Sequence, residues 1–429
     1  MTTPNNDAAG SHKTTRRDFI GNCAALASLP VLAGLPVSAF AAGTSEQLKV
    51  GLIGCGQRGQ GAANDCRRAH PSVQIWALGD VFPDAVENAR GKLSKNDQTN
   101  VPKERCFSGF DAYKQVIASG VDLVILATPP HFRPIHMEAA INAGVHVFAE
   151  KPCAVDPAGC RKVIAVGELA KQKKLAIVAG TQRRHDSVYV ETLKRIHEGA
   201  IGDLVGGQAY WVGGSTDSFW PHRKRKEGQS EMEYQLRNWY AFTWLCGDHI
   251  VEQHVHNLDV INWAFGGPPV KAFGMGGRQR RNWGNIWDHF AVEFEYPNGV
   301  RVSSLCRQTD DTANRVTEHL VGTRGRARPG AILGANEWKF AGKRVNSQVQ
   351  EHADLIASIR NGTPLNEARA LAEATLAGIL GRMSAYTGKE IKFDWVLNSS
   401  KLDLSPSAYS FEGEPPEKIV AIPGVTRLV

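Results

Sequence analysis

Three glycines at a fixed spacing are the first feature of this sequence that could bind a ligand. Gly54, Gly56 and Gly59 form a G-x-G-x-x-G motif between the apolar run 48–53 and a helical pattern at 59–69. In such a turn the first glycine permits the tight bend, the second leaves room for a pyrophosphate, and the third lets helix and strand approach closely. The motif predicts a dinucleotide site, and a turn without a ligand is the alternative.

An acidic residue at the end of the next apolar run indicates which dinucleotide would bind. Asp80 has the position of a carboxylate that bonds the ribose hydroxyls of an adenosine. Because Val81 and Phe82 offer no guanidinium for a 2′-phosphate, NAD is favoured and NADP is the alternative. Arg58 could add a charge-assisted contact to the phosphates. Asp80 could instead cap the following helix.

A lysine in a Glu-Lys-Pro turn is the first candidate for proton transfer. Lys151 follows Glu150 at the carboxyl end of the apolar run 145–149, which is where parallel α/β sheets bind ligands. A partly desolvated lysine beside a positively charged nicotinamide gives up its proton more readily than a solvated lysine does. A solvated surface lysine is the alternative.

A second group of chemically active side chains lies in the segment 247–263. On one continuous helix, capped by Asp248, Glu252 and His256 would share a face with Asp259 beyond them. His256 or Lys151 could take the proton of a substrate hydroxyl, and Glu252 could orient and polarise one of them. The histidines and carboxylates of this segment could also bind zinc or form a buried polar network without chemistry.

Further polar and aromatic side chains could hold a hydroxylated substrate. Aromatic faces suit the C–H faces of sugars, and arginine and asparagine suit hydroxyl groups; a place in the hydrophobic core is the alternative for the aromatics. The predicted substrate-binding residues follow another strand end or precede the histidine-rich segment, and they are Gln182, Arg184, His185, Arg237, Asn238 and Trp239, together with His256.

The elements that position these residues change in character along the chain. Up to about residue 178, strand and helix patterns alternate, which predicts a doubly wound parallel sheet of Rossmann type. Beyond residue 200 the pattern predicts an α+β domain with a large, mostly antiparallel sheet, and 214–238 reads as a long loop. The predicted strands of this part are 203–213, 270–279, 288–296 and 300–306, with a hairpin at Pro297-Asn298-Gly299 and helices at 347–361 and 367–387.

The order of the motifs resembles one oxidoreductase family. A-T-P-P-H-F-R-P-I-H at 127–136, G-V-H-V-F-A-E-K-P at 144–152 and G-T-Q-R-R-H at 180–185 are similar to the Gfo/Idh/MocA family of glucose–fructose oxidoreductases and inositol dehydrogenases. The resemblance runs from about Lys49 to Phe393. In this family an aspartate commonly stands where this chain has Glu252.

The resemblance implies roles for individual residues and for the whole chain. Lys151 would contact a substrate hydroxyl and the nicotinamide ribose, and Thr128, Pro129, His131 and Glu150 would line the cofactor channel. Hydride would pass from a secondary alcohol of a sugar, glycoside or polyol to a tightly bound NAD, in a homo-oligomer (dimer or tetramer). A glycosidase that works through transient oxidation at ring carbon 3 is the first alternative, and a non-catalytic binding protein is the second.

The N-terminus predicts export. T-T-R-R-D-F-I at 14–20 resembles the twin-arginine motif, an apolar stretch follows, and Ala39-Phe40-Ala41 suits cleavage. We therefore expect a signal peptide at 1–41 and a periplasmic location; a basic arm followed by an apolar helix is the alternative. The predicted domains are 46–178 for the cofactor, 179–395 for substrate and oligomerisation, and 396–429 as a tail.

Composition excludes several other classes of protein. The length of 429 residues suits two domains, and the formal net charge of +7 is spread over short basic runs, which argues against nucleic acid as a partner. Beyond the N-terminus no run of about 18 apolar residues predicts a membrane anchor. The eight cysteines form no C-x-x-C pair, so neither a disulfide scaffold nor a thiolate metal site is expected.

Overall fold

The computed structural model of the chain describes residues 47–94 and 100–429. The twin-arginine motif and the predicted cleavage site lie outside the described residues. Most of the strands and helices named above are found with ends within two residues of their predicted positions. None of the helices in the described part of the chain combines the length and apolarity that a membrane span requires.

The first sheet has six parallel strands in the spatial order 3-2-1-4-5-6. Its central strand β4 is apolar and buried throughout, and β1 is buried from Val50 to Ile53, as expected where helices cover both faces. The order reverses between β1 and β4, and ligands bind at such a switch point beyond the carboxyl ends of the strands. The strands are β1 Leu48–Ile53, β2 Val73–Asp80, β3 Cys106–Ser108, β4 Leu123–Leu126, β5 His146–Ala149 and β6 Ile177–Ala179.

Five helices connect these strands. The last one begins where the Asp156 carboxylate accepts the N–H of Gly159, which satisfies one of the free donors of its first turn. These helices are α1 Gln57–Ala69, α2 Pro83–Leu93, α3 Ala112–Ala118, α4 Arg133–Asn142 and α5 Pro157–Lys173.

The second sheet has nine strands in the order 14-13-12-11-7-10-9-8-15, antiparallel except for the β7–β10 pair. The predicted hairpin is confirmed, because Arg301 pairs with Glu295 across a turn in which Asn298 has a φ of 68°. The strands are β7 Leu204–Gly213, β8 Lys271–Gly277, β9 His289–Glu295, β10 Arg301–Gln308, β11 Arg315–Gly322, β12 Gly325–Arg328, β13 Ala331–Gly334, β14 Trp338–Lys339 and β15 Ile391–Lys392.

The remaining helices belong mostly to the second sheet. One of them, α11, packs instead against α1 and against β6 of the first sheet, although it comes after strands of the second sheet in the chain. The almost wholly buried α12 packs against β8 and α10. These helices are α6 Ser187–His197, α7 Glu231–Arg237, α8 Thr243–Cys246, α9 His249–Glu252, α10 Val255–Phe265, α11 Ser347–Arg360, α12 Ala368–Thr387 and α13 Phe393–Asn398.

Two predictions of local structure are wrong. The segment 247–263 is not one helix, because α9 ends at Glu252 and α10 begins at Val255. Asp248 does cap the start, as its carboxylate accepts the N–H of His249. The predicted loop 214–238 contains α7, whose first turn is capped by Ser230.

Candidate active site

One cavity of about 970 Å³ collects most of the predicted site residues. Its floor is the edge of the first sheet where β1, β2, β4 and β5 end, and the second domain contributes the opposite wall. A volume of this size is that of a cofactor or substrate site. The predicted residues that line it are Gly54, Gly56, Arg58, Asp80, Thr128, Pro129, Glu150, Lys151, Arg237, Asn238, Trp239 and Glu252.

The lack of a side chain has a different physical consequence at each of the three glycines. Gly54 has a φ of +99°, and a Cβ there would lie 2.5 Å from the backbone of Thr128. A Cβ on Gly59 would lie 1.9 Å from the carbonyl oxygen of Gly54. A Cβ on Gly56 would meet nothing within 4 Å, although this residue lines the cavity. The first and third glycines are therefore required by packing, whereas the second leaves open space for a ligand.

Asp80 points into the cavity from the end of β2. Its carboxylate accepts the N–H of Cys55 at 2.7 Å and that of Phe82 at 3.0 Å, which fixes its orientation. Burial raises the pKa of this carboxyl group, and the backbone donors partly oppose that rise. The residue at the N-cap position of α2 is Phe82, so the alternative role of Asp80 as a helix cap is wrong.

Arg58 and Glu150 form an ion pair beside the glycine turn. The Arg58 Nε donates to Glu150 Oε1 at 2.5 Å, and Asp65 lies 3.6 Å from the same guanidinium. The negative charge of Glu150 raises the pKa of Arg58. Arg58 therefore reaches the cavity with a charge that Glu150 already balances, and any phosphate contact would be shared with that carboxylate.

Lys151 and Glu252 join the two domains at the other end of the cavity. The Lys151 Nζ donates to the main-chain oxygen of Glu252 at 2.7 Å and to its Oε1 at 3.2 Å. Within residues 47–94 and 100–429, nothing donates to the buried Oε2 of Glu252. Burial raises the pKa of Glu252, and Lys151 partly offsets this. Glu252 lines the cavity, and a buried carboxylate with one unpartnered oxygen is suited to a ligand hydroxyl.

His256 lies behind this pair and does not line the cavity. Its ring stacks on Trp211 with the centroids 5.8 Å apart, and its Nδ1 lacks a partner among the described residues. Burial lowers the pKa of His256, and the positive charge of Lys151 lowers it further. The imidazole is therefore neutral and close enough to Lys151 for their charges to interact.

The structure does not bring three predicted substrate residues to the cavity. Arg184 donates to both carboxylate oxygens of Asp259 at 2.8 to 3.0 Å. His185 pairs with Asp354 at 2.6 Å and Glu367 at 3.3 Å; burial opposes protonation, but these acids raise its pKa to about 10. The short turn that carries them, which also includes the half-buried Gln182, packs against α11. Arg184 and His185 therefore serve ion pairs between elements.

Arg237 and Asn238 line the cavity but are already engaged. Arg237 pairs with Asp84 at 3.1 Å, and its guanidinium lies 3.9 Å from the centre of the Phe82 ring. It therefore contacts residues at the Asp80 end of the cavity, and its assignment to the substrate stays a prediction. The amide of Asn238 is hydrogen bonded to both backbone groups of Arg223. Trp239 also lines the cavity.

His131, like Gly59, is a predicted cofactor residue that does not line the cavity. Its Nε2 is 2.9 Å from the Tyr409 hydroxyl of the C-terminal tail, and its ring packs on Trp244. Burial lowers the pKa of His131 to about 4. His136, one helical turn further on, lines the cavity instead and approaches Thr128 Oγ1 at 3.4 Å. The A-T-P-P-H-F-R-P-I-H motif contains both histidines, and the motif alone does not show which of them lines the cavity.

The zinc alternative finds no support. Across the described ranges no three His, Cys, Asp or Glu side chains come together as a metal-binding group. His254 is instead bonded to Ser304 at 2.7 Å, Asp259 to Arg184, and Glu252 to Lys151.

Comparison with known proteins identifies the family. Residues 48–181 match the model of an oxidoreductase family with an NAD-binding Rossmann fold, and residues 189–328 match the Gfo/Idh/MocA C-terminal domain. The chain belongs to the Gfo/Idh/MocA family. The resemblance in the motifs is thereby confirmed for both domains.

Relatives of this Gfo/Idh/MocA protein carry two kinds of name. It is 33% identical over 159 residues to inositol 2-dehydrogenase 4 of Saccharopolyspora erythraea, a match that spans 37% of this chain and 44% of that protein. It is 23% identical over 319 residues to inositol 2-dehydrogenase of Corynebacterium glutamicum, spanning 72% and 80%. Glycosyl hydrolase family 109 protein 4 of Phocaeicola vulgatus is 27% identical over 194 residues, spanning 44% and 36%.

A solved structure confirms the fold. The scyllo-inositol dehydrogenase of Lactobacillus casei with bound NAD(H) and scyllo-inositol superimposes with a TM-score of 0.62 at 17% identity, covering 81% of this chain and 99% of that one. The cavity fits the cofactor of the family, because Gly56 leaves open space at the helix start and Asp80 offers a fixed carboxylate. The protein is an NAD-binding oxidoreductase.

Proposed function

We propose that this protein transfers hydride from a secondary alcohol of a sugar, glycoside or polyol to a tightly bound NAD. The observation that carries the proposal is the buried pair of Lys151 and Glu252, which lies in the same cavity as the glycine turn and leaves one carboxylate oxygen free.

The residues of the chain divide between holding the cofactor and handling a proton. Bound NAD supplies the ring carbon that accepts hydride. Gly54, Gly56 and Asp80 hold the adenosine half and its phosphates. At the other end, Glu252 Oε2 accepts the hydrogen of the substrate hydroxyl, while Lys151 orients this carboxylate and balances its charge. The neutral His256 lies behind them as a further proton acceptor.

An absorbance assay with NAD and a panel of sugars and polyols tests this function. Wild-type protein reduces NAD with at least one of them, and Lys151→Met and Glu252→Gln each lower kcat/KM by about 10²- to 10⁴-fold. Lys162→Met is a matched control, because Lys162 forms an exposed ion pair with Glu138 away from the cavity. Full activity in both active-site variants would refute the proposed roles.

A glycosidase that uses NAD without net reduction is the second candidate. It is favoured by the similarity to a glycosyl hydrolase family 109 protein, which covers less than half of either chain. Nitrophenyl glycosides separate the two functions. A dehydrogenase reduces NAD and leaves the glycosidic bond intact, whereas the glycosidase releases nitrophenol with no lasting change in NADH absorbance.

Tight cofactor binding and export belong to the same proposal. A protein that leaves the cytosol folded by the twin-arginine route has to carry its cofactor with it. We therefore expect denaturation of purified protein to release about one NAD per chain, and we expect the mature periplasmic protein to begin at Ala42. Protein recovered from the cytosol with an intact N-terminus would refute the export proposal.

The proposed homo-oligomer uses the open face of the second sheet. Strands β8, β10 and β13 expose large apolar side chains, and burying such side chains favours association with another chain. Light scattering after gel filtration tests this, with Met275→Lys and Leu305→Lys expected to shift the mass towards the monomer. The exposed side chains are Phe273, Met275, Leu305 and Leu333.

A further inference from the structure

A group of aromatic rings at the cavity is not used by the proposed hydride transfer. The Trp220 and Tyr240 rings are parallel within 7° and have centroids 4.4 Å apart. The edge of Trp239 faces Trp220 at 5.5 Å. Phe219 is 66% exposed although it also lines the cavity. An exposed phenylalanine beside a tryptophan on a surface loop marks a binding surface more than a part of the core.

The rings of Tyr240, Trp220 and Phe219 form a row that runs from the buried part of the cavity to the surface. Tyr240 is buried and lines the same cavity as Glu252. Its hydroxyl accepts a hydrogen bond from Gln308 at 2.6 Å. Trp220 covers the Tyr240 ring, and Phe219 follows at 6.1 Å. A molecule whose hydroxyl reaches Glu252 would therefore extend past Trp220 if it had a second ring.

The loop that carries Phe219 and Trp220 is held at both ends. The N–H of Ser215 donates to Asp310 at 2.7 Å. At the other end Asn238 accepts from the Arg223 N–H at 2.8 Å and donates to its carbonyl oxygen at 3.1 Å. A binding surface that is already ordered avoids part of the entropy cost of ligand binding.

His222 adds a third attachment of the loop. Its ring stacks on Trp283 with centroids 4.1 Å apart, and its Nε2 is 2.9 Å from the Tyr234 hydroxyl. Asn238 and His222 are therefore positioning residues for the aromatic rings of the loop.

We propose that Trp220 and Phe219 form a subsite for a second sugar ring, next to the ring that loses hydride. The C–H face of a pyranose stacks on an indole, and a single polyol ring at Glu252 would leave Phe219 in water. The preferred substrate is then a disaccharide or another glycoside with a second ring. This inference rests on the proposed function, because it takes Glu252 as the point where the first ring reacts.

A saccharide fits this subsite better than the base of a nucleotide sugar. A diphosphate between the two rings would need a cation beside Trp220. The charge of Arg223, the first basic residue of the loop after it, acts on Asp84 at the Asp80 end of the cavity. The rings of Phe219 and Trp220 offer apolar faces, which suit the C–H face of a neutral sugar.

Matched pairs of substrates test the subsite. With NAD, kcat/KM is measured for methyl β-D-glucoside against cellobiose, methyl α-D-glucoside against maltose, and methyl β-D-galactoside against lactose. Wild-type protein prefers at least one disaccharide over its methyl glycoside by about tenfold or more. Trp220→Ala removes this preference and changes the rate with the methyl glycoside less than about twofold, whereas Trp220→Phe retains most of it.

Two further variants separate the subsite from general effects on folding. Trp338→Ala is a matched control, because this half-buried tryptophan lies on β14 against Arg195, and it should leave the preference unchanged. Asn238→Ala releases the end of the loop and should lower the ratio of kcat/KM for the disaccharide to that for the methyl glycoside. An equal loss of activity on both substrates with Trp220→Ala would overturn the inference and leave the dehydrogenase proposal intact.

Binding without turnover distinguishes this inference from the proposed function. Quenching of tryptophan fluorescence by the same disaccharides, measured without added NAD, gives their Kd. This Kd should rise about tenfold or more in Trp220→Ala. If the wild-type protein reduced NAD with none of the sugars and polyols while this binding loss persisted, the proposed function would fail and the subsite would stand. Tighter quenching by UDP-glucose than by every disaccharide, or quenching by none of the disaccharides, would overturn the subsite.

Discussion

Replacing Lys151 by methionine should destabilise the protein in a manner that depends on pH. The Lys151 ammonium is the cation that hydrogen bonds to the carboxylate of Glu252, and both side chains are nearly buried. Removal of one member of a buried ion pair leaves the other charge without compensation, which costs roughly 3–5 kcal/mol. Methionine keeps most of the side-chain volume, so the loss is mainly electrostatic.

The magnitude follows from the proton that Glu252 can take up. Burial already raises the pKa of Glu252, and Lys151 opposes this rise, so the pKa rises further in the variant. A folded-state pKa above the unfolded value gives stability that is lost as pH rises through the folded pKa. With an unfolded pKa of about 4.3 and about 1.4 kcal/mol per pH unit, the charge-related loss is at most about 1 kcal/mol at pH 5 and about 5 kcal/mol at pH 8.

Urea unfolding of wild type and Lys151→Met at pH 5, 6, 7 and 8 measures this difference. The double variant Lys151→Met/Glu252→Gln is the control, because a neutral amide removes the titrating group; it should regain most of the loss at pH 8 and remain inactive. A loss in Lys151→Met that is the same at pH 5 and pH 8, or a double variant with the same pH dependence as the single one, would refute the reasoning.

Three further predictions concern other residues. Gly56→Val should leave the melting temperature within a few degrees of that of the wild type but weaken NAD binding, measured by calorimetry, at least tenfold. Gly59→Ala should lower the melting temperature itself, because its Cβ would meet the carbonyl oxygen of Gly54. The reverse pattern would contradict the roles of the glycines. Asp80→Ala should raise the Kd for NAD about tenfold or more and that for NADP much less. His185, with a folded pKa of about 10 against an ordinary 6.5, contributes stability that is complete below about pH 6.5 and lost as pH rises towards 10; unfolding of His185→Gln should lack this decline, on the order of several kcal/mol in total.

The first domain could be predicted from sequence because its signals are local. A strand, a turn with a glycine that needs φ > 0, and a helix follow one another within about 20 residues at Gly54, so periodicity and turn chemistry were sufficient. The same holds for the hairpin at 297–299. The long loop was misread in part because α7 is only seven residues long, Glu231–Arg237, and so short a helix has too few turns to show a clear period.

The site was harder to predict because side-chain direction depends on distant partners. His131 and His136 share one motif, yet Tyr409 covers the first, and the second faces the cavity. Arg184 is predicted to bind substrate, but in the structure its guanidinium donates to both carboxylate oxygens of Asp259. No local pattern reports such pairings, since each joins residues about 75 or more positions apart.

By itself, then, the order of residues determined which family this protein belongs to, where its parallel strands run, and which three glycines bend around a dinucleotide, because all of these depend on neighbours in the chain. Tertiary structure alone decided that Lys151 meets Glu252 across 101 positions, that Arg237 lies at the Asp80 end, and that Trp220 covers Tyr240. Those contacts arise when two separately patterned domains close around one cavity, and burial there raises the pKa of Glu252 and lowers that of His256.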